Sequence, residues 1–201
     1  MRDGRTLLVV VSAPSGAGKT TLCERLLSEH GDFVYSVSCT TRPPRGAEVN
    51  GRDYHFLTPL EFECRLADGE FLEHASVHGY RYGTLVSTVR QGLAAGRHVL
   101  MDIDVQGARQ IRAHIEGLPP DDPMRRGFVD IFIAPPSIDV LRQRLEARGE
   151  DDAETIARRV ANAEREMADR ELYQHVIVND DLDTAYRQLK EAVEGAMNSH
   201  G

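Results

Sequence analysis

The sequence predicts an α/β fold, a parallel-sheet core with helices on both faces and a smaller β-rich lobe inserted into it. Three observations carry this. Short apolar runs alternate with stretches of helical period, the pattern of strands crossed over by helices. Between Phe33 and Gly96 that rhythm breaks into short strand-like pieces around one short helix. The chain of 201 residues, 41% hydrophobic, suffices for one real core with a small added lobe, but not for two large domains.

The elements follow in order. Leu7–Ser12 is continuously apolar up to its last residue and reads as a strand buried on both faces. Lys19–Glu29 places Leu22, Leu26 and Leu27 on one helical face. In the inserted lobe, Val34–Ser38, Tyr54–Phe56 and Phe71–Val77 read as strands and Pro59–Leu66 as a helix. Val99–Ile103 is a second buried strand after the turn at Ala95-Gly96-Arg97, and Val105–Ile115 is the helix that follows. The Pro-rich stretch Gly117–Gly127 reads as an exposed loop. Phe128–Ala134 is a third strand, stopped by Pro135-Pro136, and Ser137 then caps a helix to about Arg148. Asp152–Glu171 is charged and helical, His175–Val178 is a short strand, and Asp181 or Asp183 caps a last helix to about Met197.

Composition excludes several classes of function. Asp and Glu outnumber Lys and Arg by 32 to 24, a formal charge of −8, which argues against a broad nucleic-acid-binding surface. Cys23, Cys39 and Cys64 form no CxxC pair, so neither a disulfide framework nor a cysteine-based zinc site is expected. The apolar run Leu7–Val11 is too short for a signal peptide, and no stretch approaches a membrane span, so a cytoplasmic protein is expected. His74 and His78, with Glu70 and Glu73 near them, have metal-ligand spacing only on a helix; here the region reads as strand and turn, an ordinary polar surface. Of the 24 Lys and Arg only Lys19 and Lys190 are lysine and the other 22 are arginine, a ratio that fits a coding bias.

Lys19 sits in Ala13-Pro14-Ser15-Gly16-Ala17-Gly18-Lys19-Thr20, between the first strand and the first helix. This is the phosphate-binding loop GxxxxGK[ST] with Ala13 in place of the first glycine. Gly16 and Gly18 let main-chain N–H groups turn inward around phosphate oxygens, and the helix brings its positive end to the same place. Lys19 is expected on the β and γ phosphates and Thr20 on Mg²⁺. Asp102, closing a buried strand, is placed to hold that ion through water.

A second cluster lies in the inserted lobe. Arg42-Pro43-Pro44-Arg45 holds two guanidinium forks on a stiff frame, a fit for one phosphate group. Tyr54 and Tyr82 can donate phenolic hydrogens, and Glu73 and Thr84 add a carboxylate and a hydroxyl.

Taken together with Glu48–Phe56, Tyr82-Gly83-Thr84, Asp102–Gly107, Ile133–Ser137 and Val178–Asp181, these stretches resemble the guanylate kinases, and the likeness runs over about residues 5–195. The resemblance implies a P-loop NTPase core (5–33, 95–135 and 168–195), an NMP-binding lobe (34–94) and a helical lid (136–167). It implies transfer of the ATP γ-phosphoryl group to GMP, with dGMP a further acceptor, in purine nucleotide metabolism and GMP recycling. Mg²⁺ would accompany ATP, and no obligate protein partner is implied. Residues 13–20 and Asn179 would bind ATP; Arg42, Arg45, Tyr54 and Tyr82 would hold the GMP phosphate; Ser38, Glu73, Thr84 and Asp104 would read guanine. Arg144, Arg148 and Arg159 match the lid arginines and join Lys19 and Arg42 as expected catalytic residues, whereas Arg142, Arg158 and Arg165 read as an ion-pair face. Cys39 and Thr84 depart from the family's usual small hydroxyl residue and serine.

Two other functions fit parts of the pattern. A guanylate-kinase-like interaction module typically lacks the loop lysine, which is present here. A P-loop kinase for another phosphorylated acceptor, such as a ribose bisphosphate, would differ in the base-reading residues.

Overall fold

A computed structural model describes residues 5–77, 79–149 and 151–198; His78 lies outside them. In chain order the elements are β1 (Leu8–Ser12), α1 (Lys19–Glu29), β2 (Phe33–Tyr35), β3 (Cys39–Thr40), β4 (His55–Phe56), α2 (Pro59–Ala67), β5 (Phe71–Val77), β6 (Tyr80–Leu85) and α3 (Val86–Ala94). They continue with β7 (His98–Ile103), α4 (Val105–Glu116), α5 (Pro123–Arg126), β8 (Phe128–Ala134), α6 (Ile138–Arg148), α7 (Ala153–Met167), β9 (His175–Val178) and α8 (Leu182–Asn198).

The core is a five-stranded parallel sheet in the order β2-β7-β1-β8-β9. β1 is its centre, and all five of its residues are buried, which is why it reads as an unbroken apolar run. Side chains alternate across the sheet. Leu7, Val9 and Val11 pack with Leu22 and Leu26 of α1 and Leu189 and Val193 of α8. Leu8 and Val10 pack on the other face with Val89 of α3 and Ala108 and Ile111 of α4. The register sets Ser12 beside Ile103 of β7 and Phe132 of β8. The carboxyl ends of the strands therefore open at one level, where ligands of open α/β sheets bind.

The second sheet, in the order β4-β3-β6-β5, is antiparallel except for β3 with β4. Phe62 and Phe71 stack at 4.3 Å beneath it. α2 starts on a capping box, Thr58 with Glu61, and carries Pro59 in its first turn.

The structure departs from sequence expectation in several places. Val34–Ser38 was expected as a lobe strand; instead Phe33–Tyr35 pairs with β7 as the edge of the core sheet. Phe33 stacks on His98 at 4.9 Å, and Ser36 N–H donates to Leu100 O at 3.0 Å, which closes the pairing. α3 also lies within 34–94 but packs on the core through Val89 and Leu93. Asp152–Glu171 is not one helix: α7 ends at Met167, and Ala168–Leu172 tightens into a 3-10 turn. That turn brings buried Tyr173 against Phe132, ring centres 5.1 Å apart. Asp181 caps α8, accepting from Thr184 N–H at 2.9 Å, while Asp183 pairs with Arg25 at 2.6 Å.

Gly117–Gly127 is not simply an exposed loop. Asp122 accepts from Met124 N–H at 2.8 Å and starts α5, which drives Met124, 0% exposed, into the core beside α3 and α4. Met124→Ala should lower unfolding stability in urea by about 2–5 kcal/mol, the range for a fully buried methionine replaced by alanine. A loss below about 0.5 kcal/mol would show that the segment does not anchor the core.

Candidate active site

β1 ends at Ser12, and the chain turns through residues 13–18 before α1 begins at Lys19. The turn needs left-handed backbone at Gly16 (φ 92°) and Gly18 (φ 89°). A Cβ on Gly18 would lie 2.3 Å from the Asn179 side-chain amide, which itself donates to Ala17 O at 2.7 Å. A Cβ on Gly16 would touch Leu145 and Leu141 of α6 at 3.0 and 3.1 Å. α1 starts with no side-chain cap, so its first N–H groups face the loop. Ala13, in the first glycine's place, is buried and lines the loop cavity with Pro14 and Ser15.

Lys19 Nζ donates to Ile103 O at 2.6 Å and pairs with the Asp102 carboxylate. Thr20 Oγ1 stands 3.5 Å from the other Asp102 oxygen. The hydroxyl and carboxylate offer hard oxygen donors on one side of the cradle. Among the described residues no group of three or more His, Cys, Asp or Glu could hold a metal ion by itself. That donor set fits Mg²⁺, which keeps several waters and takes ligands from substrate phosphates. His74 is exposed, and its main chain bonds in both directions to the Gln110 side chain.

A second cleft lies between the two sheets, lined by Tyr35, Ser38, Tyr54, Glu73 and Tyr82, with Asp102 and Asp104 at its floor. Asp102 and Asp104 also line the loop cavity, so the two spaces share a wall. Glu73 faces Thr84 across β5 and β6, and the Ser38 and Thr84 hydroxyls bond at 3.0 Å. Glu73 is 7% exposed with no cation paired to it among the described residues, and burial, with Asp104 adding to it, pushes its carboxyl above the usual range. Asp104 caps α4, accepting from Gly107 N–H at 2.7 Å. A Cβ on Gly107 would lie 3.1 Å from Glu73 Oε2, so a side chain there would crowd this carboxylate. Arg42, 5% exposed, lies beneath Tyr54, its guanidinium carbon 5.4 Å from the ring centre, while Arg45 is exposed.

The three expected lid arginines are not placed alike. Arg144 donates to Asn179 O at 2.9 Å, and Arg148 lines the loop cavity beside Lys19 and Thr20. Arg159 is held by Asp151 at 2.8 Å and does not line that cavity. Sequence reasoning gave no role to Tyr35 and Asp53 of the cleft or Glu166 of the loop cavity. Tyr35 ends β2, whose place in the core sheet is set by distant partners, and Glu166 sits in a charged helix face; nothing local distinguishes either.

Comparison with known proteins agrees over almost the whole chain. The guanylate kinase family model matches residues 5–196. A guanylate kinase of Nitratidesulfovibrio vulgaris is 51% identical over 192 residues, which cover 95% of this chain and 87% of that protein. One of Thiobacillus denitrificans is 48% identical over 183 residues, covering 91% and 83%. The crystal structure of guanylate kinase from Anaplasma phagocytophilum superposes with a TM-score of 0.72 at 32% identity, covering 99% of this chain and 90% of that one.

Glu73 gives a pH-dependent stability. Its folded-state carboxyl is raised, so the neutral form is favoured by folding. That stability is full below the usual carboxyl range and is lost as pH rises through the raised folded value. Glu73→Gln should therefore raise the melting temperature near pH 7, with the gain shrinking toward pH 4. Equal melting temperatures at both pH values would show that the charge is not strained there.

Proposed function

The chain belongs to the guanylate kinase family, and from that membership we propose how its own residues carry out the reaction, transfer of the γ-phosphoryl group of ATP to GMP to give ADP and GDP. The observation that carries the assignment is the shared wall: the phosphate loop and the second cleft meet at Asp102 and Asp104. A donor in one and an acceptor in the other would bring their reacting phosphates together there.

On the donor side, residues 13–18 and the first turn of α1 present main-chain N–H groups to the ATP phosphates, and Lys19 shifts from Asp102 toward the β and γ oxygens. Asn179 braces the loop through Ala17 O. Thr20, and Asp102 through water, would hold Mg²⁺, which supplies positive charge at the phosphates when bound. On the acceptor side, Arg42, Arg45, Tyr54 and Tyr82 take the GMP phosphate. Ser38, Glu73, Thr84 and Asp104 read guanine. The Glu73 carboxylate accepts from N1–H and the N2 amino group, and a hydroxyl donates to O6. Adenine lacks that donor pair and would leave Glu73 buried and unpaired, a strong basis for rejection.

The acceptor phosphate is already largely ionised, its second pKa being near 6, so no protein base need remove a proton. Catalysis is then positioning and charge neutralisation. Residues 136–167 act as the lid: Arg148 stands at the loop cavity, Arg144 lines the neighbouring cavity with Gly16, Gly18 and Asn179, and Arg159 exchanges Asp151 for phosphate on closure, excluding water. The second sheet with α2, inside the 34–94 segment, is the acceptor-binding lobe.

A coupled ADP-release assay with GMP, AMP, UMP and ribose bisphosphate should give turnover with GMP alone at comparable concentrations. Lys19→Ala should lower kcat/KM by about 100-fold or more, roughly 3 kcal/mol of transition-state stabilisation. Glu73→Gln should narrow the GMP preference over AMP while leaving KM for ATP nearly unchanged. Near-normal turnover in the lysine variant, or intact GMP kinetics in the glutamine variant, would overturn the corresponding role.

A further inference from the structure

The segment Arg42-Pro43-Pro44-Arg45-Gly46-Ala47-Glu48 has few main-chain donors, because neither proline carries an N–H. Arg45 N–H is the first after Arg42. It donates to Glu48 Oε2 at 2.7 Å, and Glu48 N–H donates back to Arg45 O at 3.0 Å. Gly46, with φ 52°, permits the reversal between them. One side chain thus closes the turn that carries Arg45.

The same carboxylate grips Arg42. Arg42 Nη1 donates to Glu48 Oε2 at 3.0 Å and Nη2 to Oε1 at 2.8 Å, a two-pronged pair. The remaining Nη1 hydrogen goes to Pro43 O at 2.8 Å. Arg42 N–H is fixed by Thr40 Oγ1 at 3.1 Å. These bonds use one fork of the guanidinium. The other, Nε–H with the second Nη2 hydrogen, is taken by no carboxylate or carbonyl among the described residues, and the Tyr82 phenol is the guanidinium's other hydrogen-bonding neighbour.

We propose that Glu48 is a positioning residue of the acceptor phosphate site: its carboxylate occupies one fork of Arg42 and the main chain of Arg45, so that the second fork of Arg42 is presented to the substrate phosphate. This rests on Arg42 being a phosphate ligand. The pair is unlike an exposed ion pair, because Arg42 is buried and the geometry is two-pronged. Arg42, with Arg45 adding to it, also holds the Glu48 carboxyl below the usual range, so it stays ionised at neutral pH. Glutamine is the informative replacement. It keeps the shape but turns one oxygen into an N–H₂ that must face the Arg42 or Arg45 donors.

The experiment measures steady-state kinetics with GMP and ATP, inhibition by guanosine, and melting temperature for wild type, E48Q, R42A and the double variant. E48Q should raise KM for GMP by about 10-fold, worth roughly 1.4 kcal/mol. KM for ATP and inhibition by guanosine, which carries the base without phosphate, should stay within about 2-fold. In the R42A background, E48Q should raise KM for GMP by less than it does in wild type, because the part of its effect that passes through Arg42 is gone and only the part through Arg45 remains. Should E48Q fail to fold, E48D, which keeps the charge but shortens the reach, carries the same comparison. An unchanged KM for GMP in E48Q, a full additive effect in the R42A background, or an equal loss for ATP and guanosine would each overturn the proposal. If R42A itself leaves KM for GMP unchanged, the phosphate role of Arg42 fails instead, a distinguishable result.

Discussion

The parallel register of β1 against β7 is the constraint on which the rest depends. Pairing Val11 with Asp102 and Ser12 with Ile103 brings the phosphate loop and the acidic end of β7 to one level. From there Lys19, the first residue of α1, reaches both Asp102 and Ile103 O. A slip of one residue would turn Asp102 toward the opposite face and bury a charge in the core. The buried run of β1 prevents that slip, since its two sets of side chains are locked into separate clusters on the two faces. The interior of the sheet therefore sets the chemistry at its edge.

An acidic chain that binds polyphosphates must keep its few useful cations aimed without letting them collapse onto any carboxylate nearby. The structure handles this by giving most of them a partner in advance. Lys19 rests on Asp102, Arg42 on Glu48, Arg159 on Asp151, and Arg144 on the carbonyl of Asn179. In the proposed reaction a phosphate group then replaces or joins a partner already present, and the protein avoids holding bare like charges together. The partners differ in kind. On the proposed roles, Asp102 and Asp151 are released or shared on binding, whereas Glu48 keeps one fork of Arg42 while the other meets the phosphate.

Much of this was legible in the sequence because it depends on local spacing. The phosphate loop sits between strand and helix in a run of eight residues, and Ala13 in the first position costs nothing visible because the left-handed turns fall on Gly16 and Gly18. The buried strands and the cap at Ser137 were equally local. What escaped was set at long range. β3 is two residues long, too short to show a period, and is defined by its pairing with β4 and β6 across the lobe, whereas the strand at His55–Phe56 was expected. β2 lies in the core sheet through partners more than 60 residues away. Met124 is one apolar side chain among prolines, and only the hollow between α3 and α4 makes it core. In the site, the resemblance supplied residue types, but the pairing of Arg159 with Asp151 depends on how the lid folds.

Glu48 and Glu73 show how surroundings divide one residue type between two tasks. Glu48 accepts three hydrogen bonds, two of them from a buried arginine, and has no free edge for a base. It is ionised, oriented and spent. Glu73 is buried next to Asp104, with no counter-cation among the described residues, and its carboxyl is raised in consequence. An arginine beside Glu73 would relieve that cost, but it would occupy the same two oxygens that accept from guanine in the role proposed for it. On the proposed guanine-reading role the desolvation goes with the selectivity: Thr84 bonds to Glu73, but no cation among the described residues neutralises it, so the rest of its acceptor capacity is left for the base. Gly107 belongs to the same device, because only the absence of a side chain there lets Glu73 approach the first turn of α4, where Asp104 is already fixed as its cap.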